Sequence, residues 1–323
     1  MRARDLARLA KRRLEAAFNA NARLVERVAE GKRARAGGPA YVEQPRVSLI
    51  LLSFNHRGNI PALAAGLHAS GADEIIVCDD GSIDGSERAW QAHLTAPNTF
   101  LIRSNDIHDS RIYNRAAGFA RGEFIAVLQD DDIPPASSDW VRESLALFDR
   151  YPRLAVLGGH QGWVLDFTQS ADRIHRRAVY GYRDEKRFSY ARDIPFLDPA
   201  TSRPLMFVQG VSIGPIFYRR EVFQALGGFN FDYSAPGEVG MLVDHELSLR
   251  AWLAGHQVAV SGPMPFRRYV GGQGTVMFGA DTRARNLLRS FARLQRDYRD
   301  RVGAIDAAAD ALNASLTPVA HAS

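Results

Sequence analysis

The chain has 323 residues, 46% of them hydrophobic, which is enough for a substantial core in one large domain or one domain with appendages. Its single cysteine, Cys78, excludes an internal disulfide, and no apolar stretch reaches the roughly 18 to 20 residues that span a bilayer. The N-terminus lacks the apolar segment of a secretory signal, so we expect a cytoplasmic protein.

The formal net charge of +5 is unevenly distributed. Residues 1–40 carry eleven Lys or Arg against four Asp or Glu, so the other residues carry thirty (41 − 11) against thirty-two (36 − 4). The body of the protein therefore lacks the basic surface of a nucleic-acid-binding domain, and we expect no nucleic acid as a partner.

Residues 1–30 lack Pro and Gly and are rich in Ala, Leu and Arg, which predicts a helix with a loose apolar face. Residues 31–39 are typical of a linker. The positive charge of this N-terminal arm has two interpretations. The arm contacts the anionic inner face of a membrane, with salt-sensitive binding, or it packs on its own domain or on a second subunit.

Apolar runs and helical stretches alternate from residue 46 onward. Strands are predicted at 47–52, 74–78, 99–102 and 123–128, and helices at 60–69, 84–94 and 110–121. This alternation is typical of βαβ units and predicts an α/β fold, a mostly parallel central sheet flanked by helices. Parallel strands end at a common edge, so the polar residues at 53–55, 79–82 and 129–132 should converge where a nucleotide could bind.

The pattern is weaker in the second half of the chain. Residues 160–205 hold many Arg, Tyr, Asp and Pro, which predicts loops that shape a substrate pocket. Further elements are predicted as a strand at 207–213, a helix at 244–254 and a strand at 257–260. Asp281 is placed to cap a terminal amphipathic helix, and the Ala-rich tail from Ala304 is predicted to fray.

The run Gln129-Asp130-Asp131-Asp132 directly follows the apolar residues of the fourth predicted strand. Three adjacent carboxylates repel one another. They become favourable when a divalent cation such as Mg²⁺ or Mn²⁺ lies among them and takes substrate phosphates as further ligands. An isolated run of this kind is more often a solvated acidic turn with a helix cap. The motifs around it favour the metal site.

Four segments, in order, resemble the motifs of the family 2 glycosyltransferases, which have the glycosyltransferase A fold. They are residues 47–56, residues 74–86, Asn114 and Ala120 with Gly122-Glu123-Phe124, and residues 227–229 with 244–250. The match spans about residues 46–262, and ordered motifs at suitable separations are more specific than any one alone.

The resemblance implies an inverting, metal-dependent enzyme. It would move a sugar from a nucleoside diphosphate sugar to a hydroxyl acceptor, such as a glycan or lipid-linked glycan of a cell-surface polysaccharide. It also divides the chain into consecutive parts. These are an arm and linker (1–45), a catalytic domain (46–262) with a nucleotide-sugar half (46–135) and an acceptor half (136–262), and a C-terminal loop, amphipathic helix and tail (263–323).

On the donor side, the resemblance implies that Asp80 binds the nucleotide base, with Asp79 nearby and with Phe54 and Asn55 lining the same pocket. A carboxylate suits this role because it accepts hydrogen bonds from an imide N–H or a sugar hydroxyl. From the residues alone, turn and capping roles are the safer interpretation of Asp79 and Asp80, and a strand-end turn also fits Phe54 and Asn55. Positive charge at the diphosphate is expected from Arg111, and from Arg267 or Arg268.

The metal motif departs from the commonest family pattern at Gln129, where many members have an acid. Asp130 and Asp132 still form an Asp-x-Asp pair, and Asp131 aligns best with the family's direct metal ligand. The resemblance therefore makes all three acids metal candidates. Gln129 and Asp130 are the candidates for contact with the nucleotide sugar, because a neutral Gln129 would weaken that contact or move it to Asp130.

Asp244 is the candidate catalytic base implied by the resemblance, and Glu246 would support substrate binding. The two acids do not share a helix face. From the residues alone, Asp244 is equally suited to cap the helix, and His245 between them is more often a packing or hydrogen-bonding residue. No Gln-x-x-Arg-Trp sequence follows Asp244, which argues against a processive polysaccharide synthase.

Two other functions fit parts of the chain. A sugar-phosphate nucleotidyltransferase would carry a glycine-rich, basic loop after its first strand, and residues 53–58 are poor in glycine. A catalytically inactive nucleotide-sugar-binding protein is favoured by Gln129 alone.

Overall fold

The computed structural model describes residues 42–105, 107–168, 176–181, 194–234, 238, 240–262, 264, 266–268 and 279–319. The predicted N-terminal helix and linker lie outside these ranges. Within them, no helix has the length and apolar character needed to cross a membrane.

The first half of the chain forms the predicted strand and helix alternation. Strands β1 (Val47–Ser53), β2 (Glu74–Asp79), β3 (Thr99–Arg103) and β4 (Phe124–Gln129) are connected through helices α1 (Ile60–Ala69), α2 (Ser86–His93) and α3 (Asp109–Phe119). All neighbouring pairs in the order β4-β1-β2-β3 are parallel. The strands are apolar almost throughout because helices cover both faces of the sheet.

The second half begins with the short strand β5 (Asp132–Ile133) and helix α4 (Asp139–Arg150). There follow β6 (Leu154–Gly158), β7 (Gln161–Leu165), β8 (Arg176–Gly181), β9 (Phe196–Leu197), β10 (Leu205–Phe207), β11 (Gly210–Ser212), β12 (Ile216–Arg219) and α5 (Arg220–Ala225). The last elements are α6 (Val243–Leu253), β13 (Gln257–Ser261), β14 (Arg267–Arg268), α7 (Gly279–Tyr298), α8 (Val302–Asn313) and β15 (Thr317–Pro318).

The main sheet has eight strands in the order β10-β13-β6-β12-β4-β1-β2-β3. It is mostly parallel, and the antiparallel pairs are those made by β12 and β10. Three small sheets join β11 with β7 and β8, β14 with β5, and β15 with β9. The pairing of β14 with β5 places a C-terminal segment beside the acid run, Asp130 to Asp132.

Hydrophobic residues pack on both faces of the main sheet. One core includes Tyr113 of α3, Leu247 of α6 and Phe291 of α7. The other core includes Leu63 of α1, Trp90 of α2 and Phe148 of α4. Since both faces are covered, the carboxyl edge of the parallel strands is the part of the sheet left for a ligand.

Most of the predicted elements are confirmed, and three expectations are corrected. Residues 207–213 form two short strands in different sheets instead of one, because β10 pairs with β13 and β11 pairs with β7. Residues 160–205, predicted as loops, contain β7, β8 and β9.

The tail from Ala304 is an ordered helix, α8, and does not fray at its start. Ile305 and Ala309 are buried against the two cores. The side chain of Asn313 accepts a hydrogen bond from the amide of Phe207 (2.7 Å) and donates one to its carbonyl (2.9 Å). The apolar spacing that begins at Val302 is helical, and these contacts fix it in place.

Candidate active site

The carboxyl ends of β1, β2 and β4 meet at one edge of the sheet, as predicted. The amide of Phe54 donates to Oδ2 of Asp130 (2.7 Å), and the amide of Asn55 donates to Oγ of Ser82 (2.9 Å). Oδ1 of Asn55 in turn accepts from the amide of Ile83 (2.8 Å). Asn55 has a φ of 54°, in the left-handed region that asparagine tolerates better than most residues. The loop after β1 is thus tied to both neighbouring strand ends.

Asp79 builds the turn that follows β2. Its Oδ1 accepts hydrogen bonds from the amides of Gly81 (3.1 Å) and Ser82 (2.8 Å). Its Oδ2 is buried and makes no hydrogen bond within the described part of the chain. The side chain is completely buried, and its contact with a nucleotide stays a prediction.

Asp80 anchors the segment that leads into α3. Its Oδ1 accepts from the hydroxyl of Ser104 (2.8 Å) and the amide of Ile107 (3.0 Å), and its Oδ2 accepts from the amide of His108 (2.9 Å). The carboxylate is 3% exposed. Its oxygens are therefore engaged with the chain itself, and contact with a nucleotide base stays a prediction.

The three adjacent acids have different surroundings. Asp130 is hydrogen-bonded to the loop after β1. Asp132 is 2% exposed, and its carboxylate lies so close to Gly214 that a Cβ there would be 2.1 Å from Oδ2. Asp131 is half-buried and forms no hydrogen bond or salt bridge with described residues. In the described ranges, no three His, Cys, Asp or Glu side chains are grouped to hold a metal ion by themselves.

His56 and Asp130 form a salt bridge between Nδ1 and Oδ1 at 2.7 Å, with side chains 8% and 14% exposed. The hydrogen bond to Asp130 raises the pKa of His56 above its ordinary value, which favours the charged imidazole. Burial raises the pKa of Asp130. His56 was not among the predicted site residues, since no local pattern in the sequence pairs it with Asp130.

Asp244 is the second residue of α6, so Leu242 and not Asp244 is the N-cap. Oδ2 of Asp244 accepts from the amide of Ile213 (3.0 Å), and burial raises the pKa of Asp244. Gly214, the next residue after Ile213, contacts Asp132. The segment between β11 and β12 therefore touches both Asp244 and the acid run.

Glu246 lies in a buried network instead of facing a substrate cleft. It is 1% exposed and forms a bidentate salt bridge with Arg250, whose Nη2 lies 2.7 Å from Oε2. The hydroxyl of Tyr298 donates to Oε1 of Glu246 (2.8 Å), and Arg250 also donates to the carbonyls of Leu226 and Gly228. The structure thus separates Glu246 from Asp244, as their different helix faces require.

Arg111 stabilises a neighbouring loop. Its guanidinium donates to Oγ (3.0 Å) and to the carbonyl (2.9 Å) of Ser234 and lies 4.9 Å above the ring of Phe231. These contacts occupy the guanidinium of Arg111, which was expected to contact the diphosphate. Arg267 and Arg268 form β14 with Arg268 opposite Asp132, so their backbone is beside the acid run, but their side chains lie outside what the structure describes.

Two polar links that the sequence analysis missed hold α6 in position. Oδ1 of Asp109 accepts from the amide of Gly240 (3.2 Å), which ties the start of α3 to the segment before α6. Nε2 of His245 is 2.9 Å from Oε1 of Gln209, and Nε2 of Gln209 donates to Asp306 of α8 (3.0 Å). His245 is a hydrogen-bonding residue of the core, as expected.

The family model described as "Glycosyl transferase family 2" matches residues 46–203. Residues 46–203 of the chain belong to glycosyl transferase family 2. The match covers the strand ends that carry Asn55, Asp80 and Asp131, and it stops before Asp244.

Solved structures and a curated relative are similar to this family member. The mannosyltransferase PcManGT from Pyrobaculum calidifontis, in complex with GDP-Man and Mn²⁺, has a TM-score of 0.52 and 16% identity, covering 88% of this chain and 74% of that chain. S. aureus TarS 1–349 in complex with UDP-GlcNAc has a TM-score of 0.47 and 17% identity, covering 71% and 60%. The uncharacterized protein y4gI of Sinorhizobium fredii is 25% identical over 207 residues, or 58% of this chain. The chain spans 21% of the length of that relative. The likeness to the mannosyltransferase confirms the predicted glycosyltransferase A fold.

Proposed function

We propose that the protein transfers a sugar, with inversion, from a nucleoside diphosphate sugar to a hydroxyl acceptor. The observation that carries the proposal is the Ile213–Gly214 segment, which contacts Asp244 on one side and the acid run on the other. A donor held at the strand ends would therefore lie beside a carboxylate able to accept a proton. Membership of glycosyl transferase family 2 supports the same reaction.

Asp131 is the residue that would hold a divalent cation. Mg²⁺ and Mn²⁺ prefer carboxylate oxygens and keep sites for water and phosphate, and Asp131 is accessible and without a hydrogen bond in the described ranges. When bound, the cation would neutralise the charge of the departing diphosphate. The similar mannosyltransferase holds GDP-Man with Mn²⁺, which supports a cation at the donor.

The donor would lie against the loops that β1, β2 and β4 deliver to the edge. Gln129 is half-buried and its side chain makes no hydrogen bond to described residues, so its side-chain amide is available to a ribose hydroxyl. Phe54 and Asn55 are half-buried in the first loop. Asp79 and Asp80 would act by shaping the second loop, since Oδ1 of Asp79 and both carboxylate oxygens of Asp80 accept hydrogen bonds from the chain.

Asp244 would act as the general base. The hydroxyl proton of the acceptor passes to its carboxylate while the acceptor oxygen bonds to the anomeric carbon and the bond from that carbon to the diphosphate breaks. The raised pKa of Asp244, caused by burial, strengthens it as a base. The amides of Ile213 (3.0 Å) and His245 (2.8 Å) hold the carboxylate in place.

The acceptor we propose is a glycan or lipid-linked glycan. The +7 charge of residues 1–40, from eleven basic and four acidic residues, suits contact with an anionic membrane, where a lipid-linked acceptor would be located.

The proposal is tested by thermal unfolding with UDP, GDP, CDP and dTDP, each with and without Mn²⁺, followed by hydrolysis assays on the matching nucleotide sugars. We expect Mn²⁺-dependent stabilisation by a nucleoside diphosphate and slow release of that diphosphate from its sugar conjugate. Pyrophosphate release from a nucleoside triphosphate and a sugar phosphate would instead indicate a nucleotidyltransferase. Binding without turnover, with hydroxyl acceptors present, would indicate an inactive sugar-binding protein.

A further inference from the structure

We propose that His56 is a positioning residue of the donor site. It holds Asp130 against the loop after β1, so that Asp131 is the one acid of the three that is left for the cation. This inference rests on the proposed function, and it replaces the expectation that Asp130 binds metal or ribose in place of the acid missing at Gln129.

Three contacts hold Asp130 to the loop after β1. Its Oδ1 is 2.7 Å from Nδ1 of His56, and its Oδ2 accepts from the amide of Phe54 (2.7 Å). The side-chain amide of Asn59 donates to its backbone carbonyl (3.1 Å). Both carboxylate oxygens and the carbonyl are therefore bonded to a single short loop, and a metal ion would have to displace a buried salt bridge to reach them.

Asp132 is buried against the segment between β11 and β12. Its carboxylate lies against Gly214, in a space that only a residue without a side chain leaves open. With 2% of its surface exposed, it belongs to the interior. Asp131 is half-buried, as is Asp130, and differs from Asp130 in forming no hydrogen bond or salt bridge with described residues.

The loop that carries His56 is also fixed from its other side. Asn55 bonds to Ser82 and Ile83, and the amide of Arg57 donates to Oδ2 of Asp84 (2.9 Å). Beside the contacts from the Phe54 amide and the Asn59 side chain, the His56–Asp130 pair is thus a contact of two side chains between this clamped loop and the acid run. Its loss would release Oδ1 of Asp130 and loosen the backbone on which Asp131 is presented.

The test compares three variants with the wild type. His56→Ala removes the link, and His56→Asn keeps it, because Nδ2 of asparagine occupies about the position of Nδ1 of histidine. His68→Ala is the matched control, since its exposed ring on α1 bonds only to the carbonyl of His93 (2.9 Å) in the described ranges. The readouts are the Mn²⁺ concentration for half-maximal stabilisation by the nucleoside diphosphate, and KM for the donor separately from kcat.

We expect His56→Ala to raise the required Mn²⁺ concentration and the donor KM by about 10- to 100-fold, the usual effect of removing a residue that orients a metal ligand. His56→Asn and His68→Ala should stay within about threefold of the wild type. In an Asp130→Ala background, His56→Ala should add little, because the partner through which His56 acts is already lost.

Unchanged Mn²⁺ and donor dependence in His56→Ala, or full additivity with Asp130→Ala, would overturn the inference. If His56→Ala does not fold, His56→Gln takes its place, because its side-chain amide does not reach the position of Nδ1, and His56→Asn is its matched control: unchanged Mn²⁺ and donor dependence in His56→Gln would refute the inference. Absence of any stabilisation of the wild type by nucleoside diphosphates would refute the proposed function first, and this inference with it.

Discussion

Replacement of Glu246 by glutamine should destabilise the protein without impairing the donor site. The change removes the negative charge of a buried pair and leaves the guanidinium of Arg250 with carbonyl oxygens as its remaining acceptors. Removal of one partner from a buried pair costs about 3–5 kcal/mol in the free energy of unfolding. Unfolding entropy is about 2.1 cal/mol/K per residue, or roughly 0.7 kcal/mol/K for a chain of this size, so Tm should fall by about 4–7 °C.

The assay is thermal unfolding followed by circular dichroism, with Glu87→Gln as the matched control. Glu87 pairs with Arg103 at 2.6 Å, but their side chains are 32% and 51% exposed, so that variant should change stability by only about 0–1 kcal/mol. The double variant Glu246→Gln, Arg250→Met should lose less than the sum of the two single changes, because it leaves no buried charge without a partner.

A Tm within about 1 °C of the wild type for Glu246→Gln, together with a raised KM for the acceptor, would refute this reasoning. Glu246 would then bind substrate, as the resemblance implied before its surroundings were known.

Asp131→Asn should abolish transfer and the Mn²⁺-dependent stabilisation by a nucleoside diphosphate, as measured by thermal shift; retained turnover would exclude the proposed cation site. Asp244→Asn should lower kcat by about 10²-fold or more with donor binding intact, and Tm should stay unchanged or rise, because a buried group whose pKa is raised is destabilised in its charged form at neutral pH. A large fall in Tm with normal turnover would make Asp244 a structural residue. In the wild type, kcat/KM should fall as pH is lowered through the raised pKa of Asp244, above the ordinary aspartate value of about 3.9; an acidic limb at or below that value would contradict the role of Asp244. A variant starting at Tyr41 should lose salt-sensitive sedimentation with anionic vesicles, and equal binding by both chains would make the arm a structural element.

The order of strands and helices in the first half of the chain was predictable because buried parallel strands are continuous apolar runs that polar residues end. The convergence of Asn55, Asp80 and Asp130 follows from the same logic, since parallel strands end at one edge. The choice between Asp244 and Glu246 also depended on helix geometry, which separates residues two apart.

What could not be predicted depends on contacts distant in sequence. The partner of Glu246, Tyr298, lies 52 positions away, and the partner of Phe54, Asp130, lies 76 positions away. Neither pairing leaves a local pattern. The Ala-rich tail was misjudged because alanine is apolar too weakly to mark a buried face, although Ile305 and Ala309 pack in the core.

The amide of Asn313 has a consequence for the behaviour of the protein at high concentration. β10 is the last strand of the main sheet on its side, and the outer N–H and C=O of an edge strand can template the addition of a foreign strand. Asn313 bonds to both groups of Phe207, so one side chain occupies the position that a ninth strand would take. Asn313, at the end of helix α8, therefore blocks the place on this edge where a strand of another chain could pair, and the place stays open until the chain has been synthesised through Asn313.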